Sequence, residues 1–148
     1  MSESPIYKRP ESVLVVVCNE RGEVLLLRRV FPPGLWQSVT GSREWGEEAP
    51  AAARRELAEE TGLDMEVEDC ERENLFPIRP EWRARYDPRV LENREQVFRV
   101  RVQGRPEIRL NPREHDAHLW LPRDEAAARV FSWTNRDAIL EFVPAANE

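Results

Sequence analysis

Three glutamates crowd one short segment, Arg54-Arg55-Glu56-Leu57-Ala58-Glu59-Glu60-Thr61-Gly62-Leu63. On a helix Glu56, Glu59 and Glu60 fall within about 100° of one another, beside an apolar stripe of Pro50, Ala53 and Leu57. Like charges at that spacing cost a few tenths of a kcal/mol each, and anions in a last turn oppose the helix dipole by about 0.3–1 kcal/mol. A solvated face neutralised by Arg54 and Arg55 would tolerate such a cluster. A hard divalent cation, Mg²⁺ or Mn²⁺, would instead turn the repulsion into coordination, because such ions prefer carboxylate oxygens. Arg55, one turn from Glu59, could then orient the carboxylates.

The spacing upstream favours the metal. Gly41 is followed after five residues by Glu47, and after seven more by Arg55-Glu56-Leu57-Ala58-Glu59-Glu60-Thr61-Gly62-Leu63. Every fixed position of the pattern G-x5-E-x7-R-E-U-x-E-E-x-G-U, with U aliphatic, is filled, so the chain resembles the Nudix family. The resemblance implies an α/β (α+β) fold with a mixed β-sheet sandwiched between helices. It also implies metal-dependent attack of water on an acid anhydride, a nucleoside or other group linked to a diphosphate. The chemistry is consistent: a polyphosphate would be repelled by the glutamates unless metal ions bridged the two, and no nucleophilic side chain is needed. Glu56, Glu59 and Glu60 become candidate metal ligands and catalytic residues. Glu56 and Glu60 are best placed to share an ion, while Glu59 could serve as general base or bind a second one. Gly41 and Gly62 are structural backbone positions, and Glu47 is expected to hold the loop or Arg55 rather than metal.

The flanks address the substrate. In place of the "PGG" that often enters the box stands "LWQSVTGS" (35–42). With "YKRPESVLVVV" (7–17), "NPREHDAHLWL" (111–121) and "SWTNRDAI" (132–139), it is similar to the dihydroneopterin triphosphate pyrophosphohydrolases, folate-pathway enzymes also named dATP pyrophosphohydrolases. That similarity runs from about residue 6 to 143 and is weakest over 73–84 and 103–110. It implies release of pyrophosphate from 7,8-dihydroneopterin triphosphate with Mg²⁺, and it makes Glu114 a further metal ligand or the base. His115 could be the base instead; the plainer alternative is a solvent-facing loop histidine. Lys8 and Arg29 would grip terminal phosphates, Thr40 would offer a hydroxyl, and Phe76, Pro77, Ile78, Arg79 and Ser132 would line the pocket, an aromatic stacking on a flat ring. Trp36 and Trp133 could be core or stacking residues. The same helix would serve dATP or another nucleoside triphosphate, a dinucleoside polyphosphate or the 5′ triphosphate of RNA, and a non-catalytic Nudix binding module is a further alternative.

These side chains must be positioned by ordinary elements. Strands are predicted at 12–18 and 23–29 around an "NERG" turn, a third within 35–41, and a helix opened by Pro50 and capped by Gly62. A strand follows at 63–71, then an extended, proline-punctuated excursion over 74–93 that could act as a lid or binding element. Strands at 95–102 and 117–122, a short helix at 123–130 and a last helix over 132–143, capped by Ser132 or Thr134, complete the chain. The 148 residues suit a single domain, 1–148, and a formal charge of −6 argues against long nucleic acids as partners. The aromatic-basic "RPEWRARY" is one loop on an acidic protein. No apolar run is long enough for a membrane helix and the N-terminus is too polar for a secretory signal, so a cytoplasmic protein is expected. Its two cysteines, Cys18 and Cys70, read as reduced structural thiols.

Overall fold

The computed structural model describes residues 7–145. The expected domain bounds, 1–148, extend past both ends of these residues, so 1–6 and 146–148 lie outside the description. Seven strands form one sheet: β1 (Glu11–Asn19), β2 (Glu23–Arg29), β3 (Trp36–Gln37), β4 (Val39–Ser42), β5 (Glu68–Pro77), β6 (Glu92–Val102) and β7 (His115–Pro122). The main order is β3-β2-β1-β6-β5, with β4 on β1 and β7 on β2. Only the β1–β6 pair is parallel, so the sheet is mixed.

The apolar run of β1 is continuous because both of its faces are covered. Val13, Val15 and Val17 face helix α1 (Ala49–Thr61), packing with Ala52, Ala53, Leu57 and Phe98. Leu14, Val16 and Cys18 face helices α2 (Arg123–Arg129) and α3 (Trp133–Phe142), packing with Ala126, Ala138, Ile139 and Val97. The sheet therefore lies between helices, and alternation along each strand decides which helix a side chain meets.

Two predicted boundaries move. The single strand expected within 35–41 is two, because Trp36 and Gln37 pair with β2 while Val39 to Ser42 pair with β1. Ser38 makes the crossing: its N–H donates to Asn135 Oδ1 at 2.7 Å, and Asn135 Nδ2 donates to its Oγ at 3.0 Å. The strand expected at 63–71 instead begins at Glu68 and runs to Pro77, with a bulge between Asp69 and Arg72 where Glu71 takes φ 54°. Pairing with β6 as far as Pro77↔Glu92 converts both ends of the expected excursion into strand, and Pro80–Arg85 forms a 3₁₀ turn. Ser132, not Thr134, caps α3, accepting the Asn135 N–H at 3.1 Å.

Candidate active site

Helix α1 carries Pro50 in its first turn and ends at Gly62, whose φ of 81° and N–H bond to Ala58 O make a left-handed cap. Pro50 is exposed; the stripe turned to the sheet is Ala49, Ala52, Ala53, Glu56, Leu57 and Glu60. Two of the three glutamates therefore do not sit on a solvated face: Glu56 is 8% exposed and Glu60 1%, while Glu59 is open to solvent. The helical period explains it, since positions 56 and 60 continue the line through 49, 52 and 53. Room for them is made by β4. A Cβ on Gly41 would stand 1.2 Å from Glu56 Oε2, so the bare backbone there lets the carboxylate pass into a cavity of about 660 Å³.

Burial pushes the Glu56 carboxyl up to about 8, reinforced by Glu59 and opposed by Arg55. Burial likewise holds Glu60 well above the usual carboxylate range; the charges of Glu56 and Glu114 add to it, and a Thr40 backbone hydrogen bond and Arg29 oppose it. Glu60 Oε1 has no hydrogen-bond partner. His115 Nε2 lies 4.0 Å away, yet burial and Arg29 lower that imidazole to about 4, so at neutral pH the contact is no ion pair. An unpartnered buried carboxylate oxygen among like charges is a donor set that a hard cation fits. Among the described residues no three Asp, Glu, His or Cys side chains are gathered closely enough to hold a metal unaided.

Arg55 fastens the entry loop to this helix. Its Nε and Nη2 meet Glu47 Oε2 and Oε1 at 2.8 and 2.9 Å, Nη2 also reaches Ser42 O at 3.1 Å, and Nη1 reaches Glu59 Oε1 at 3.1 Å and Glu56 Oε1 at 3.2 Å. The paired guanidinium holds Glu47 below the usual carboxylate range.

The same cavity is also lined by Lys8, Arg29, Arg79, Arg85 and Arg113, and Lys8 and Arg29 feel the charges of the carboxylates, Lys8 those of Glu56 and Glu114 and Arg29 those of Glu60 and Glu114. Arg29 is steadied by Phe31 O at 2.9 Å and by the Trp82 ring, whose centroid is 4.9 Å away. Arg79 stands over Trp82 and Phe131 at 5.6 and 5.2 Å. Burial lowers the Lys8 ammonium, with Arg85 adding to the effect. Thr40 lines the cavity, but its hydroxyl donates to Val13 O at 2.9 Å and its proton is committed. Exposed Glu114 lines it from the turn before β7, and Phe76, Pro77, Ile78 and Ser132 complete the wall. The cavity thus gathers Glu56, Glu60, Glu114, Lys8, Arg29, Thr40, residues 76–79 and Ser132, with Gly41 beneath; Glu59, Glu47, Arg55 and Gly62 are not among its lining.

Sequence reasoning missed the cavity floor. Ser12, Asn93, Glu95, Thr134 and Asn135 are all buried there. A usable signal existed in "EQVFRVRV": alternation puts Glu95 on the same face as buried Val97, where a charge is costly without a purpose. His115 is 2% exposed, the reverse of a solvent-facing loop histidine, because it opens β7. Trp36 packs against the α2/α3 core, whereas Trp133 is 49% exposed at the cavity.

The NUDIX domain family model matches residues 8–142. A dihydroneopterin triphosphate diphosphatase of Escherichia coli is 44% identical over 144 residues, covering 93% of this chain and 95% of that one. One of Haemophilus influenzae is 34% identical over 143 residues, covering 93% and 89%. The solved structure of the E. coli dihydroneopterin triphosphate pyrophosphohydrolase superposes with a TM-score of 0.87 at 43% identity, covering 94% of this chain and 98% of that one.

Proposed function

The chain belongs to the Nudix family, and from that premise we propose that it is a pyrophosphohydrolase, acting as a single domain, that cleaves 7,8-dihydroneopterin triphosphate to the monophosphate and pyrophosphate. The names borne by its relatives of similar length support this substrate. The observation that carries the reading is one cavity lined by both buried carboxylates and cationic side chains, in a protein of net charge −6. The carboxylates would repel a phosphate without a cation between them; the Lys and Arg side chains suit the phosphates directly.

Glu56 and Glu60, joined by Glu114, would hold a divalent cation, Mg²⁺ first and Mn²⁺ as a substitute. Such an ion neutralises charge developing on phosphoryl oxygens and acidifies coordinated water. Arg55 holds Glu59 where it can accept a proton or bind a second ion, and Glu47 in turn fixes Arg55. Lys8 and Arg29 grip the phosphates. Arg29, propped by Phe31 and Trp82, approaches them already oriented. Thr40 acts through its backbone, which holds Glu60. Phe76 to Arg79 and Ser132 bound the space for the ring.

No helix among the described residues is long and apolar enough to cross a membrane; a cytoplasmic place in folate biosynthesis, acting on a small phosphorylated molecule, fits the reading. Purified protein with Mg²⁺ is to be given dihydroneopterin triphosphate, dATP and diadenosine polyphosphates in parallel, with pyrophosphate and orthophosphate measured separately. Pyrophosphate release favouring the pterin by at least about tenfold in kcat/KM, roughly 1.4 kcal/mol, is expected. Orthophosphate as the product, or undiminished turnover in excess chelator, would contradict it.

A further inference from the structure

The floor of the cavity is built from side chains that the cleavage chemistry does not use. Alternation along β6 turns Asn93, Glu95 and Val97 to the α2/α3 side of the sheet, and β1 places Ser12 beside them, in register with Glu95. Glu95 is 4% exposed and still lines the cavity. Among the described residues no Lys or Arg pairs with it. Its neighbours are neutral: the Thr134 hydroxyl, and Asn74 Nδ2 at 3.4 Å from Oε1. Asn93 Nδ2 donates to Ser12 Oγ at 2.7 Å, and its buried Oδ1 has no partner among the described residues.

Counting donors and acceptors gives the chemistry of what belongs there. The nearby donors Asn74 Nδ2 and the Thr134 hydroxyl each give one hydrogen bond to Glu95, and Asn93 Nδ2 gives one to Ser12. Glu95 itself, once ionised, can only accept, with about four lone-pair sites, and a second acceptor, Asn93 Oδ1, lies two residues away on the same strand face. A floor of spare acceptors is complemented by a ring edge made of N–H groups.

Building on the hydrolase reading above, we infer that Glu95, with Asn93 beside it, is the specificity subsite for the N–H edge of a 2-amino-4-oxopyrimidine ring, the edge shared by pterins and guanine. In such a ring the ring N–H and the adjacent exocyclic amino group point the same way, so two parallel hydrogen bonds reach the two carboxylate oxygens, as a guanidinium does. Adenine presents one amino group flanked by ring nitrogens that are acceptors, which sets a lone pair against a carboxylate oxygen. Its six-membered edge therefore pairs poorly with the same floor. Burial raises the Glu95 carboxyl to about 7 against the hydrogen bonds of Thr134 and Asn74; two further N–H donors would favour its ionised form.

The test is Glu95→Gln, which keeps side-chain size and an oxygen for Thr134 and Asn74 but replaces one acceptor with a donor. With dihydroneopterin triphosphate, dGTP and dATP under Mg²⁺, the variant should raise KM for the first two by at least about tenfold, with kcat within about threefold and KM for dATP no higher than before. A pterin-to-adenine KM ratio within about twofold of wild type would overturn the subsite. Calorimetry of the wild-type protein with neopterin and with adenosine asks the same question without turnover or a variant. Preference for neopterin supports the assignment, and equal affinity overturns it. If the wild type hydrolyses none of the triphosphates, the hydrolase reading falls while the calorimetry still decides the subsite.

Discussion

Gly41→Ala isolates the contact that makes room for the acidic cluster. The added Cβ would lie 1.2 Å from Glu56 Oε2, 2.1 Å from Cδ and 2.9 Å from Cγ. Gly41 is not among the glycines with positive φ, so alanine fits its backbone and the whole conflict is with the end of one side chain. Restoring an ordinary contact requires the Glu56 carboxylate to retreat by about 2 Å, against a tolerance of about 0.2 Å for a metal ligand. Misplacement of about 1 Å at a reacting centre costs on the order of 10²-fold, so kcat/KM should fall by about 10²–10³ and Mg²⁺ binding should weaken by at least about tenfold. Stability should hardly move: alanine restricts the unfolded chain by about 0.4–1 kcal/mol, and an off-rotamer Glu56 costs about the same. Steady-state kinetics, Mg²⁺ titration calorimetry and thermal melting in chelator separate the effects. Wild-type turnover with wild-type Mg²⁺ affinity would refute the reasoning, and so would a variant that fails to fold, which would give Gly41 a backbone role instead.

Three further outcomes follow from the same geometry. The carboxyls of Glu56 and Glu95 are raised from 4.5 to about 8 and about 7, so their contribution to stability is complete below 4.5 and is lost as pH climbs through the folded values. His115, lowered from 6.5 to about 4, acts in the opposite sense only below 6.5, so between pH 6.5 and about 8 melting in chelator should lose stability, and Mg²⁺ should restore it. Glu56 alone corresponds to about 2 kcal/mol over that interval, or about 4–8 °C in Tm, and a flat profile would exclude the assignment. Glu60→Gln should remove at least about 10²-fold of the turnover while the metal-free protein melts no lower, because a buried carboxyl whose charged form burial disfavours has gone; Mg²⁺-dependent stabilisation should vanish with it. Asn135→Ala leaves the Ser38 N–H buried without an acceptor and should cost about 1–3 kcal/mol in urea unfolding; no loss would mean the β3–β4 crossing does not depend on it.

Legibility in the sequence followed the physics of each feature. The Nudix box was readable because its residues lie within one helix turn or one short loop of each other, where spacing translates directly into position. β1 and β2 were readable because strands covered on both faces carry unbroken apolar runs. Depth was not readable from the box: helical period places Glu56 and Glu60 on one line, but whether that line faces water or the sheet depends on Gly41, a residue on another element. The split at Ser38 is also non-local, requiring Asn135 nearly a hundred positions later. β5 was misplaced because its exposed–half-buried alternation is built from charged residues and a bulge at Glu71, leaving little apolar signal to fix the register. Glu95 was overlooked because a lone charge in an alternating strand looks like the solvent side until its parity with Val97 is counted.

These distant residues act on one another through β1. Its first half pairs with β4 from Ser12↔Ser42 to Val15↔Val39, whereas its far end pairs with β2 at Cys18↔Val24. One edge of β1 is therefore shared by two strands, and the chain must cross between them at Ser38. Asn135 fills the hydrogen-bonding needs of that crossing, and its own N–H is held by Ser132, at the cavity wall. The cavity wall at Ser132 and the Gly41 window beside Glu56 are consequently tied within a few residues of strand. Burying the Glu56 and Glu60 carboxylates costs free energy, and the fold tolerates it because two apolar clusters on opposite faces of the same sheet hold the frame in place. A cation held there, as proposed above, would be bound the more tightly for that strain, since the free energy recovered on neutralising the carboxylates would appear as affinity.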